Sequence, residues 1–291
     1  MQRLSKQRTI SSTVAVEGFG YWGGRDVRLE FRPAEVNTGV VFVRNDVHPP
    51  VRIPATIENR IETPRRTSLR RAGKSVEMVE HVMAALAGLE VHNCEVWVNQ
   101  AEMPGLDGSA QAIVDALDRA GVVQQNAARP QLIVREITRL GDESAWIEAA
   151  PWDGNGLAVK YRLDYGTNNA IGSQMLQLTV TPETFRRDLA PSRTFMFKEE
   201  ADGLLARGLG TRATPSDLLV FDEHGPIDNE LRYRDECVRH KILDLVGDLA
   251  LAGCHLVGRI IAHRSGHRLN AELVRVLLAE GEVVEGWRRS A

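Results

Sequence analysis

The sequence predicts an α+β fold made of two similar units, and three observations lead there. Segments of period-two alternation, typical of half-buried strands, flank segments of helical period. Both halves follow one order of strands, helix, glycine, strand, loop, helix, and the tetrapeptide Ala-Leu-Ala-Gly ends the first long helix of each, at 85–88 and 250–253. Between them, Gln124 to Pro130 is polar and ends in proline, so it reads as a linker. The expected units are an N-terminal α+β domain over 1–126 and a C-terminal α+β domain over 127–291.

In the first half, Asp26–Phe31 places its apolar residues on one face, and Val40–Val43 is a second strand. A helix is predicted from about Val76 to Leu86, with Val79, Val82, Met83 and Leu86 as its buried stripe, Ser75 as its cap and Gly88 as its stop. The strand Cys94–Val98, the turn Asp107-Gly108 and a helix from Ala110 to Ala120, ended by Gly121, complete the unit. In the second half, strands are predicted at 131–138, 145–150, 157–164 and 174–180. A helix near 236–252 closed by Gly253, a strand at 255–263, the loop Arg264-Ser265-Gly266 and a last helix from Ala271 to Glu280 follow. Residues 195–233 interrupt this second copy with a helix-like Glu199–Arg207 and a strand-like Leu218–Phe221, and read as an insert.

Composition narrows the function classes. The chain has 291 residues, 43% hydrophobic and 26% charged, with a net charge of −3, which offers no pull toward nucleic acid. Cys94, Cys237 and Cys254 are far apart and form no C-x-x-C pair, a pattern that suits a reducing compartment. Met1 to Val16 lacks the apolar core of a secretion signal, and the longest apolar stretch, Leu249–Gly258, is too short to cross a bilayer. A cytoplasmic location is the expectation.

The chemistry concentrates in three places. His240, Asp244 and Asp248 stand at i, i+4 and i+8, so a helix presents all three in one row, and His with a carboxylate at that spacing is a workable two-ligand clamp for zinc. The plain alternative is an exposed His–Asp pair, yet two acids at i, i+4 repel unless a cation or donor lies between them. In Val79-Glu80-His81, a glutamate beside a histidine suits a general base next to a metal ligand, and His81 is the natural third ligand of a site that keeps one position open for water. Alone, a Glu-His pair is common on solvated helix faces. The third place is Ser265-Gly266-His267. A helix rises about 1.5 Å per residue and a strand about 3.3 Å, so the strand leaving Gly253 returns past the level of His240. The loop carrying His267 can then lie near the N-terminal half of the same helix, where a histidine could meet Asp248, which would hold its tautomer and favour the imidazolium. By itself His267 would be an ordinary surface histidine.

Five blocks now resemble a known family. Val79–Gly88, Glu102–Ser109, Ser192–Phe195, Arg239–Asp244 and Ser265–His267, together with Arg32-Pro33-Ala34 and Asn37-Thr38-Gly39, resemble the signature blocks of the UDP-3-O-acyl-N-acetylglucosamine deacetylases, in family order from Gln7 to the last helix. The resemblance implies a Zn2+ enzyme that removes the N-acetyl group of an acylated UDP-amino-sugar in lipid A biosynthesis. It implies zinc on His81, His240 and Asp244, the general base at Glu80, a cationic His267 oriented by Asp248, and an oxyanion contact from Thr194. It implies substrate contacts from Lys241, near the diphosphate, and from Phe195. The fold it implies is two similar domains packed as a layered β-α-α-β sandwich with an insert in each, the second insert shaping an apolar passage for the acyl chain. A monomer that touches the membrane surface only transiently is the expectation.

Two departures bear on substrate. Gly18-Phe19-Gly20-Tyr21-Trp22-Gly23-Gly24 carries Tyr21-Trp22 where the family usually has Leu-His, and Arg65–Arg71 is unusually basic, readable as a solvated loop or as an attraction to diphosphate or membrane. They motivate the alternative of a zinc deacetylase acting on another acylated or nucleotide-linked amino sugar. A catalytically idle binding protein is a third reading, opposed by the intact Glu80, His81, His240, Asp244 and His267.

Overall fold

The computed structural model describes residues 5–284. Its first half runs β1 (Lys6–Ile10), β2 (Val14–Phe19), β3 (Asp26–Pro33), β4 (Val40–Arg44), β5 (Val51–Pro54), β6 (Arg60–Ile61), β7 (Ser68–Arg71), β8 (Lys74–Glu77), α1 (Glu80–Gly88), β9 (Cys94–Val98), α2 (Gln111–Ala120) and β10 (Val122–Ala128). The second runs β11 (Gln131–Ile133), β12 (Thr138–Gly141), β13 (Trp146–Ala150), β14 (Leu157–Asp164), β15 (Ser173–Val180), α3 (Pro182–Thr184), β16 (Phe195–Phe197), α4 (Lys198–Leu205), β17 (Leu219–Phe221), α5 (Glu236–Leu249), β18 (His255–His263), α6 (His267–Glu280) and β19 (Val283–Val284).

The duplication is visible in strand order and sense. One sheet runs β2-β3-β9-β4-β5, and within the other the path β12-β13-β18-β14-β15 repeats it. Along each of these paths the strand after the first long helix, β9 or β18, is parallel to β4 or β14 and the other pairings are antiparallel, while the second sheet adds β11, parallel to the start of β18. The inserts also sit at equivalent places. The small sheet β6-β7-β8 lies between β5 and α1, and the β16-β17 pair with α4 lies between β15 and α5. Helix α5 packs on β14 and β15, α6 on β12 and β13, α2 on β2, and α1 against α5, so the layers run sheet, helices, helices, sheet.

Alternation explains which faces are hidden. Along β18 every second residue is buried, from Leu256 to Ala262, which gives a core face and an outward face. Helices α1 and α5 differ, since both are buried nearly all round, as expected for helices covered on several sides. They touch at Gly247, where any Cβ would run into the backbone carbonyl of Glu80.

The structure corrects several sequence expectations. The first long helix begins at Glu80, not Val76. Residues 74–77 form β8, so Ser75 is a strand residue rather than a cap. Its apolar periodicity continued into a strand whose Val76 is also buried, which blurred the boundary. The supposed linker is β10, paired antiparallel with β1 from Lys6↔Ala128 to Ile10↔Val122. This strand looked like a linker because its amides serve as partners: Gln125 accepts from Asn93 Nδ2 at 2.7 Å and donates to the Ala34 carbonyl at 2.8 Å. The stretch 131–138 divides into β11 and the start of β12, and the last helix begins at His267 rather than Ala271.

Candidate metal centre and catalytic site

Two buried helices, the start of a third and one short segment supply the site. Helix α5 brings His240, Lys241, Asp244 and Asp248, and its apolar residues, among them Val238, Ile242 and Leu245, anchor it in the core. Helix α1 brings Glu80 and His81 in its first turn, α6 brings His267 as its first residue, and the segment before β16 brings Thr194. All of these site residues except Asp248 border a cavity of about 730 Å³, which also reaches Tyr21, Trp22 and Phe195.

His81, His240 and Asp244 form a buried group whose ligand atoms all lie within 4.8 Å of one another. Asp244 Oδ1 is 3.6 Å from His81 Nε2 and 3.4 Å from His240 Nε2, and the imidazoles meet edge to face with centroids 5.0 Å apart. Nitrogen and oxygen donors about 2.0–2.2 Å from a tetrahedral ion would stand roughly 3.3–3.6 Å from one another, so the group fits a divalent metal. The His240 tautomer agrees. Nδ1 donates to the Ser192 carbonyl at 3.2 Å, which leaves the Nε2 lone pair facing Asp244 and Thr194, whose hydroxyl lies 2.7 Å from it.

The protonation states suit ligation. Burial pushes the His240 imidazole down to about 4 despite nearby Asp244, so it is neutral at pH 7. Burial also pushes the Asp244 carboxyl up, but Lys241 and His240 outweigh that and hold it well below the usual range. Lys241 Nζ donates to Asp244 Oδ2 at 2.9 Å, so this lysine lies on the Asp244 carboxylate at the cavity wall. The same carboxylate pushes the lysine's pKa up against the effect of burial.

Glu80 is 5% exposed, and burial raises its pKa against the pull of His267 and His81. Its Oε2 accepts from the Thr67 amide at 3.0 Å. Asp248 is fully buried and has a partner for each oxygen: Oδ1 accepts from Thr67 Oγ1 at 2.5 Å, and Oδ2 accepts from His267 Nδ1 and Asn270 Nδ2, both at 2.8 Å. Ser265 Oγ donates to Asn270 Oδ1 at 2.7 Å and fixes the amide's orientation. Burial and the positive end of α6 both oppose a charged His267. Asp248 prevails and carries its pKa up to about 9.

All nine residues singled out in the sequence therefore border one region, with Asp248 behind His267. Phe195 stands edge-on to His240, with centroids 6.2 Å apart. Thr67 was missed. It sits inside the basic stretch 65–71 and bridges Glu80 and Asp248, and no spacing signal marks it. That stretch is neither a solvated loop nor a free cationic patch throughout. Arg65 pairs with Glu200 at 2.8 Å, Arg66 pairs with Glu77 at 2.9 Å and lies over the Trp22 ring at 4.5 Å, and Ser68–Arg71 is β7. The Tyr21 hydroxyl donates to the Asp217 carbonyl, which ties the glycine-rich loop to the second insert.

The comparisons with known proteins give the family. Residues 7–279 match the family model described as UDP-3-O-acyl N-acetylglycosamine deacetylase. The UDP-3-O-acyl-N-acetylglucosamine deacetylase of Pasteurella multocida is 36% identical over 286 residues, covering 97% of this chain and 93% of the relative. Enzymes of the same name from Shewanella woodyi, 37% identical with 96% and 92% covered, and Geotalea uraniireducens, 36% identical with 96% and 90% covered, are similarly related.

Proposed function

The chain belongs to the UDP-3-O-acyl-N-acetylglucosamine deacetylase family, and from that premise we propose that Glu80, His81, Thr194, His240, Asp244, Asp248 and His267 are its catalytic apparatus. The reaction is hydrolysis of the N-acetyl amide of an acylated UDP-N-acetylglucosamine, which releases acetate and a free amine in lipid A biosynthesis. The observation that carries the residue assignment is the His81–His240–Asp244 group lying beside Glu80 and within reach of the His267–Asp248 pair.

Zinc is the ion we assign to His81, His240 and Asp244, because a mixed imidazole–carboxylate set of three suits it. In that position a divalent ion supplies acidification of water and polarisation of the acetyl carbonyl. Glu80, held by the Thr67 amide, takes the proton of the attacking water. Negative charge then develops on the acetyl oxygen. The Thr194 hydroxyl and the cationic His267 are the donors available to it, and such preformed donors are worth several kcal/mol when one is aimed at developing charge, about 2.7–4. Asp248 holds the His267 ring and keeps it charged. The amine leaves with a proton from His267 or from the newly protonated Glu80.

Substrate contacts follow from the cavity. Lys241 lies at its wall and Phe195 offers a ring face, while Leu204, Leu218, Val220 and Ile227 line an apolar stretch suited to an acyl chain. Among the described residues no helix is long and apolar enough to cross a membrane, and we read the enzyme as a cytoplasmic monomer that meets its lipid-linked chemistry by transient surface contact. We place the two units at 1–126 and 127–291; that boundary falls inside β10, and residues 1–4 and 285–291 lie outside the described residues. The test is acetate release from the acylated UDP-sugar compared with its non-acylated form. Equal turnover of both would remove the acyl chain from the recognition, and no release from either would end the reading.

A further inference from the structure

We infer that this protein has a second ligand site, remote from the catalytic one, for a singly charged carboxylate carried on an apolar body. A cavity of about 720 Å³ lies at the other ends of α1 and α5, bordered by Met83, Leu86 and Leu249 from those helices and by Arg129, His92 and His255 from the strands and loops around them. None of these residues serves the deacetylation apparatus.

The polar groups at its edge form a donor-rich cluster. Glu90 pairs with Arg8 at 2.8 Å and with Arg129 at 3.1 Å, so two guanidinium groups share one carboxylate and the cluster is left with one positive charge. The histidines add no negative charge, and their tautomers are set by their neighbours. His92 Nδ1 accepts from the Arg8 amide at 2.8 Å, which puts the ring proton on Nε2. His255 Nδ1 faces an Arg129 NH2 donor at 2.5 Å and must also accept, so its proton is on Nε2 as well. Burial, with Arg129 nearby, pushes His92 down to about 2 and His255 to about 3, so both rings are neutral donors.

Two of these donors have no acceptor among the described residues: the Nε–H of Arg129, a residue only 7% exposed, and the buried Nε2–H of His92. A buried donor without an acceptor is costly, and a native fold rarely leaves one without cause. Two unanswered N–H groups and one unbalanced positive charge match the two oxygens and single charge of a carboxylate. The walls of Met83, Leu86, Val246, Leu249 and Leu256 match an aliphatic body. The competing account gives the arginines a purely structural task, facing the carbonyl ends of α1 and α5. It explains their charge but neither the orphan donors nor the cavity.

Octanoate is the probe, with acetate and inorganic phosphate as head-group controls, titrated calorimetrically into the metal-loaded enzyme. Octanoate should bind at one site outside the catalytic cavity, while acetate and phosphate bind at least tenfold more weakly. Arg129→Gln and His92→Phe should each weaken octanoate at least tenfold, with kcat/KM for deacetylation within twofold of wild type. In wild-type protein the His92 ring 15N signals should shift on addition, a readout that survives if a variant fails to fold. Unchanged affinity in both variants, a His92 ring that does not respond, or binding fully accounted for by competitive inhibition of deacetylation would each overturn the site and leave a water-filled cavity. Loss of deacetylase activity alone would bear on the catalytic reading and not on this one.

Discussion

Asp248 and His267 meet at 2.8 Å, carboxylate oxygen to Nδ1, with the carboxylate fully buried and the imidazole held up to about 9. Nineteen residues of sequence separate them. The helix that carries Asp248 is covered on nearly every side, so the aspartate cannot turn away, and the histidine is left as the tunable member of the pair.

The pH–rate profile should be a bell. Its acidic limb is the ionisation of Glu80, displaced above the ordinary carboxylate range by burial, and its basic limb is loss of the His267 proton near 9. Asp248→Asn should move the basic limb down toward the ordinary histidine value of about 6.5. Because the folded-state pKa of His267 is raised, the pair's contribution to stability is full below about pH 6.5 and is lost as pH rises through about 9. Rate profiles and denaturation midpoints across that window check both statements. A basic limb unmoved in the variant would separate Asp248 from the titration.

Metal content and turnover should part company between the metal group and the base. Asp244→Ala should lose most bound metal and nearly all activity. Glu80→Gln should keep metal near one ion per chain and lose about 10²–10⁴-fold in kcat, the usual worth of a positioned base. Elemental analysis alongside acetate release reads both, and substantial turnover in Glu80→Gln would exclude it as the base.

Gly247→Ala should be destabilising beyond its size. The added methyl would meet the Glu80 carbonyl, which is backbone and cannot swing away. Overpacking of this kind costs about 1–3 kcal/mol, and Tm should fall by several degrees. Because the yielding partner is the turn that carries Glu80 and His81, kcat should fall as well. Thermal scans with matched kinetics are the check, and a variant unchanged in both would show that the two helices separate easily.

Thr67→Val tests the residue that spacing did not reveal. The backbone bond to Glu80 survives, while Asp248 Oδ1 loses its hydroxyl donor. A hydrogen bond to a charged group is worth about 1.5–3 kcal/mol, so kcat should fall by roughly tenfold or more at unchanged KM and metal content. Thr67→Ser should restore most of the rate.

Much of this site could be read before any coordinates, and the reasons are physical. His240, Asp244 and Asp248 obey helical period, so one element announces them together, and Gly253, with a left-handed φ of 69°, closes the short 3-10 turn that follows it. The strand 255–263 alternates cleanly because one face is core. Other features carried no local signature. Thr67 acts through a backbone amide and a hydroxyl, which any strand entrance could supply. The strand β10 hid behind polar side chains that are bonded to neighbours far away in sequence. His267 looked like a loop residue because the first turn of α6 is polar, and only Asp248 and Asn270 behind it reveal its orientation.

The contact at Gly247 also sets an order of events during synthesis. The segment bearing Glu80 and His81 leaves the ribosome long before α5 exists, and its half of the chain owns only one of the three donors. That histidine must wait, unsupported, until the second copy has been made and its helix laid glycine-first against the first. An ion held by all three donors could be acquired only after both copies are made and joined. A nascent or nicked chain holding one copy would be blind to metal however well that copy had folded.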